Sequence, residues 1–258
     1  MAQLGLSFAT GVDKCCWLAI GVEAKDLEEP FRIHGQEITE VAEFELLGVR
    51  INAEGDSTGH VRNRIAMAWR AYFSQRSIFR CKKAPITGRY QLLTRTILQS
   101  LLWGVEACEL TADDLARLDH AHVSMAVDML ATGREQGETW LDFAIRRTLE
   151  ARASLEANRS PRAARMALSR FFRYAGHVAR LDRSRLLAEA IRHRDEEWWH
   201  LEKQRPGSQR FRHRRAGFQV RWESRLERGW KQTAQDKGAW RALEEDWLNA
   251  ALEARSKG

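Results

Sequence analysis

The sequence predicts a mainly α chain with a small N-terminal antiparallel β remnant, an α+β class in which helices carry most of the fold. Three observations predict it. The first 56 residues set short apolar runs between glycine turns, and from residue 57 apolar side chains recur every three or four positions. Only four prolines interrupt 258 residues, 44% of them apolar and 30% charged, a composition of helix-rich globular proteins rather than disordered or fibrous ones.

In the N-terminal segment, Cys15, Cys16, Trp17, Leu18, Ala19 and Ile20 form an apolar run that Gly21 ends, which suits a buried strand. Phe31, Arg32 and Ile33 oppose Glu37 and Ile38 across His34, Gly35 and Gln36, a hairpin whose glycine can take positive φ. Over 43–51, Phe44 and Leu46 alternate with Glu43 and Glu45, then the phase slips so that Leu47, Val49 and Ile51 take the apolar slots. A one-residue slip predicts a β-bulge.

The helices begin after Asn52, Ala53, Glu54, Gly55 and Asp56. Val61, Ile65, Ala68, Trp69 and Tyr72 make one apolar face of an arginine-rich helix. Leu92, Leu93, Ile97, Leu98, Leu101 and Leu102 make a broader core face on a helix that stops near Trp103 and Gly104. The next opens at Thr111, whose hydroxyl can cap the amide three residues on, with Asp113 and Asp114 against the positive end of the helix dipole. Its Leu115, Leu118, His122, Met125 and Met129 follow a 3-4-3-4 seam. A further helix runs from about Glu138 through Trp140, Phe143, Ile145 and Leu149, and another starts at Ser160 and Pro161 and runs through Met166, Phe171 and Tyr174 toward Gly176. From Arg192 arginines interleave with tryptophans, six of the ten tryptophans lying at or beyond Trp198, and residues 204–209 are the best linker. The expected divisions are 1–56, 57–135 and 136–258.

The net charge of +7 is uneven. Residues 1–60 hold four Lys or Arg against eleven Asp or Glu, a balance of −7, so 61–258 hold 38 cations against 24 carboxylates, a balance of +14. Such an excess attracts polyanions. The opening residues carry Asp13 and Lys14 where a signal peptide needs an unbroken apolar centre, and no apolar stretch is long enough to span a membrane. Cys15, Cys16, Cys81 and Cys108 lack the spacing of a zinc site or disulfide framework. An intracellular protein, nuclear or cytoplasmic, with free thiols and no membrane partner is expected.

Several segments resemble, in order, the C-terminal portion of a reverse transcriptase from a non-LTR (LINE-type) retrotransposon. Leu4, Gly5 and Leu6 followed by Lys14 are similar to motif D of the palm, and 44–48, Phe-Glu-Leu-Leu-Gly, resembles motif E, the primer grip. Arg64 and Ile65 with Ala68 and Phe73 are similar to the first thumb helix, and 102–106, Leu-Trp-Gly-Val-Glu, with Trp103 where the family usually has tyrosine, matches a family element. So does 176–180, Gly-His-Val-Ala-Arg, while Arg221, Trp222 and Glu223 with Trp230, Ala234, Asp236, Lys237 and Trp240 echo the terminal arginine-tryptophan segment. Where the family has glycine-arginine-proline, this chain has Gly217, Phe218 and Gln219.

The resemblance implies a palm remnant, a thumb-like helical bundle and a basic helical C-terminal region. It implies a nucleic-acid-binding fragment of an RNA-directed DNA polymerase, with RNA, DNA or an RNA-DNA hybrid as partner. The expected contacts are Leu46, Leu47 and Gly48 in the primer grip, Arg62, Arg64, Arg70, Lys82 and Lys83 in the thumb, and Arg210, Arg212, Arg214, Arg215 and Arg221 beyond it. Aromatic interleaving at Phe211, Phe218 and Trp222 would add base stacking or pack the C-terminal helices together. The family's paired, metal-holding aspartates precede motif D, so no catalytic residue, metal site or cofactor is expected here. Magnesium would serve only the full-length polymerase, and another polymerase chain would supply the missing palm. Thr111, Ala112, Asp113 and Asp114 mimic the family's aspartate tetrad but are expected to be a helix cap. The alternatives are a non-functional remnant of a degenerate element, or a helical interaction module that dimerises through Leu115, Leu118, Met125 and Met129.

Overall fold

A computed structural model of the chain describes residues 15–18, 31–33, 35–52, 58–108, 110–182 and 229–256, together with 184, 185, 188, 189, 193, 196, 200, 204 and 226. It is mainly helical with a few small sheets, in agreement with the expected class. Contacts group it into two compact units, Met1–Asn63 and Arg64–Gly258. The expected ranges 57–135 and 136–258 fall, apart from the first few residues, within the second.

In the first unit the described strands are short and form three two-stranded sheets. β1 (Cys16–Trp17) pairs with β4 (Thr39–Glu40), and this pairing is parallel where an antiparallel sheet was expected. The Trp17 indole donates to the Ile38 carbonyl at 3.0 Å and its ring lies 5.4 Å from that of Phe31. β2 (Arg32–Ile33) and β3 (Gln36–Glu37) form the expected hairpin, with Gly35 at φ 80°.

β5 (Glu43–Leu46) and β6 (Val49–Asn52) correct the reading of a bulge. They are two antiparallel strands paired Phe44 with Ile51 and Leu46 with Val49, joined by Leu47 and Gly48 alone. Both turn residues have positive φ, 52° and 81°, the backbone of a type I′ turn. Such a turn shifts the apolar phase by one, as a bulge does, because Phe44, Leu46, Val49 and Ile51 share a face on either side of it.

α1 (Thr58–Ser74) buries Val61, Ala68 and Tyr72 as its spacing predicts. In the second unit α2 (Arg76–Phe79) follows, then α3 (Ile86–Leu92) continues through a π-helical turn, Leu93–Ile97, into α4 (Leu98–Leu101). This run buries Leu93, Ile97, Leu98 and Leu101, and Gly104 at φ 73° turns the chain where the stop was expected.

α5 (Ala112–Leu130) opens with a capping box, Thr111 Oγ1 accepting from the Asp114 amide at 3.1 Å and the Asp114 carboxylate accepting from the Thr111 amide at 3.0 Å. Asp114 is thus a cap, as read from its place in the sequence. The seam of Leu115, Leu118, Met125 and Met129 is buried within the chain, so it is no dimer surface. α5 packs instead on α6 (Trp140–Ala157) and α7 (Ala163–Ala179).

The turn into α6 is stapled by Arg146, which donates to Glu138 at 2.8 Å, to Glu150 at 2.9 Å and to the Gly133 carbonyl at 3.0 Å. The Arg146 hydrogen bond to Glu138, aided by that of the Glu135 amide, holds the Glu138 carboxyl down at about 2. Of the apolar residues expected along α6 only Phe143 is buried; Trp140, Ile145 and Leu149 face outward.

α7 starts two residues later than expected. Its cap is not Ser160, which hydrogen-bonds Thr94 at 3.1 Å, but Asp119 of α5, whose carboxylate accepts from the Ala164 amide at 2.8 Å and from Arg162 at 2.7 Å.

α8 (Trp230–Thr233), α9 (Lys237–Ala242) and α10 (Glu244–Ser256) complete the described elements. Trp230 and Trp240 pack with Phe171, Phe172, Ala175, Leu226 and Ala234. The Trp240 ring stacks on Phe172 at 4.1 Å and 6°, and its indole donates to the Phe172 carbonyl at 3.1 Å. These tryptophans are core. Gly176 is required there, since a Cβ would lie 2.2 Å from the Trp240 indole nitrogen.

Candidate nucleic-acid interface

The expected binding residues separate into three groups. Leu46 and Leu47 stand exposed at the β5–β6 tip, Leu47 being 84% exposed, with Gly48 half-buried beside them. Arg62, Arg70, Lys82 and Lys83 are exposed, the first two on α1 and the lysines in the turn between α2 and α3. Arg64 is a correction: it is 7% exposed and directs Nε at 3.0 Å to the Ser100 carbonyl and Nη2 at 3.3 Å to the Ser100 hydroxyl. A guanidinium spent on tying α1 to α4 is not presented to a phosphate. Arg210, Arg212, Arg214, Arg215 and Arg221, with Phe211, Phe218 and Trp222, lie outside the described residues, as do Leu4, Gly5, Leu6 and Lys14.

The concave surface of the second unit is built from other residues. α5 turns its apolar seam inward and leaves Ala116, His120, Ser124 and Val127 on the opposite side. Ala116, Ser124 and Val127 are small, and a groove runs over them between α1 and α6. Three adjoining hollows make it up, all sharing Ser124. Ile65 and Trp69 of α1 form one wall and Arg147, Thr148 and Arg152 of α6 the other, while Arg80 and Arg162 stand toward its ends.

The electrostatics follow from where the carboxylates are spent. Asp128 accepts from the Tyr72 hydroxyl at 3.0 Å and from Arg76 Nε at 2.9 Å. The Arg76 hydrogen bond, aided by that of Tyr72, holds the Asp128 carboxyl below its ordinary range, and burial beside that carboxylate pushes the Tyr72 phenol well up. Asp119 is committed to Arg162 and to the α7 cap. With both carboxylates engaged, Arg80, Arg147 and Arg152 set the sign of the groove, Arg147 lying 5.4 Å from the Phe143 ring.

Sequence reading missed these three because it looked for dense basic stretches. Arg147 and Arg152 come from α6 and Arg80 from the end of α2, and packing brings them to one surface. The signal available was that Arg147 and Arg152 lie on the exposed part of a helix whose other face holds Phe143, Ala151 and Leu155.

Such a surface can hold a row of anions through charge-assisted hydrogen bonds. Among the described residues no group of three or more His, Cys, Asp or Glu gathers as a metal site would need, and no helix is long and apolar enough to cross a membrane. Asp113 pairs with Arg117 at 2.8 Å, and Asp114 caps the helix it opens. His120 and His122 lie on different faces, exposed and buried respectively. No protein-family model, curated protein or solved structure matches this chain.

Proposed function

We propose that this chain binds nucleic acid through its phosphate backbone, as a relative of the C-terminal part of a non-LTR reverse transcriptase. The groove along α5 carries the reading. Its carboxylates are neutralised by internal partners, while arginines from a turn and from α6 edge it on two sides. The balance of +14 over residues 61–258 supports the same reading from the whole sequence.

The reverse-transcriptase likeness draws support from how its elements meet. The segments 102–106, 176–180 and 230–240 are far apart in sequence. Yet Arg180 donates to the Ala234 carbonyl, Gln235 donates to the Ala179 carbonyl at 2.8 Å, and Arg170 of α7 donates to the Leu102 carbonyl.

The test is a fluorescence titration of the purified chain against an RNA-DNA hybrid, duplex DNA and single strands, each at two salt concentrations. Binding that weakens steeply with salt, and that is further weakened by Arg147→Glu with Arg152→Glu, is the expected result. Binding to none of them, or a dissociation constant insensitive to salt, overturns the proposal.

A further inference from the structure

Beside the basic groove, α1 presents two stacked aromatic rings. Trp69 and Phe73 are one helical turn apart with centroids 5.2 Å apart and planes 24° from parallel. Trp69 lines two of the three hollows, one of them also lined by Arg80 and Arg147. Phe73 is 54% exposed.

The pair is rigidly founded. Tyr72 beneath it is fully buried, meets both rings edge-on at 5.5 and 5.8 Å, and stacks on Phe79 at 4.8 Å. The Arg76 guanidinium, fixed by Asp128, lies 5.6 Å from the Phe73 ring. An exposed aromatic that packing already holds loses little conformational freedom when something stacks on it. A scattered surface phenylalanine would not have this support.

We propose that Trp69 and Phe73 form a base-stacking platform for a single-stranded nucleic acid whose phosphates run along Arg80, Arg147 and Arg152. The proposal rests on the nucleic-acid reading above and names its substrate class. The strand is single because bases inside a duplex already have both faces covered by their neighbours, whereas unpaired bases offer them to an aromatic ring. Arg80 and Arg147 lie on the same hollow as Trp69 and Arg152 on the adjoining one, so one strand can set its backbone on the arginines while its bases reach the rings.

Phe73→Ala and Phe73→Trp, each in the full chain, test it against a single-stranded oligonucleotide and an abasic oligonucleotide of equal length. Phe73→Ala should weaken binding to the normal strand about tenfold or more and leave the abasic strand unchanged. Phe73→Trp should bind as the unaltered chain does. An unchanged thermal midpoint in Phe73→Ala shows that folding is intact. Equal loss on both strands, or no loss on either, overturns the platform. If binding stays salt-sensitive and falls in Arg147→Glu with Arg152→Glu while Phe73→Ala has no effect, the platform alone is wrong. If the unaltered chain binds neither strand, the platform and the nucleic-acid reading fall together.

Discussion

Leu47 shows how a single residue decides a local structure. A type I′ turn needs positive φ at both central positions, which asparagine and glycine adopt readily and a leucine does at a cost of about 1–3 kcal/mol. Leu47→Asn should therefore stabilise the β5–β6 hairpin by about 1 kcal/mol, seen as slower amide exchange in Glu43–Leu46 and Val49–Asn52. Unchanged or faster exchange would mean that the leucine contributes something the turn geometry does not explain. The phase slip at this site was legible in the sequence. Its meaning was not, because a bulge and a two-residue turn shift the pattern alike and leucine is a poor marker of positive φ. His122 is a second case. It is 1% exposed, neither ring nitrogen has a hydrogen-bond partner among the described residues, and burial pushes its pKa down to about 4, with Asp119 opposing and Arg162 adding to the shift. Below the ordinary value of 6.5 the unfolded chain takes up a proton that the folded one refuses, so stability falls as pH drops from about 6.5 to about 4. At about 1.4 kcal/mol per pH unit the loss approaches roughly 3 kcal/mol. His122→Leu should remove most of that loss, measured as the change in urea midpoint between pH 7 and pH 4.5. The same loss in both chains would show that other groups cause it.

At the scale of elements, the sequence located helices better than it located what caps and covers them. The Thr111 cap was legible because both partners sit within four residues. The α7 cap was not, since Asp119 reaches it from another helix 45 positions away. Asp119→Ala leaves the Ala164 amide without its acceptor and Arg162 without its carboxylate, and should cost about 2–3 kcal/mol in unfolding free energy. A loss below about 0.5 kcal/mol would mean that water replaces the carboxylate at no penalty. The α5 seam was likewise read correctly as an apolar stripe, but periodicity does not say whether a stripe meets its own chain or another; here α6 and α7 cover it. Periodicity misled at α6, where Trp140, Ile145 and Leu149 face outward and, of the apolar residues expected on its inner face, Phe143 alone is buried. The packing of α7 on the C-terminal helices is tight enough to predict a cost for one methyl group. Gly176→Ala drives a Cβ into the Trp240 indole and should destabilise the chain by about 1–3 kcal/mol, read from the thermal midpoint, whereas a neutral change would mean that Trp240 swings aside freely.

For the molecule as a whole, the sequence revealed how much positive charge there is and on which side of residue 60 it lies, but not where it collects. Arg64, singled out for nucleic acid, is spent on Ser100, while Arg80, Arg147 and Arg152, scattered through the sequence, edge one groove. Charge becomes a site only when packing has consumed some carboxylates and left other cations on a common surface. That account predicts a quantity. If the three arginines neutralise strand phosphates, replacing them with glutamine removes counterion release at each, and the slope of log affinity against log salt flattens by about 0.7 per lost contact on a single strand. The most direct measurement is that slope, taken for the unaltered chain and for the Arg80→Gln, Arg147→Gln, Arg152→Gln variant on one single-stranded oligonucleotide. A slope shallower by about 2 in the variant is the predicted result; equal slopes would place the bound phosphates elsewhere and contradict the groove as the binding surface.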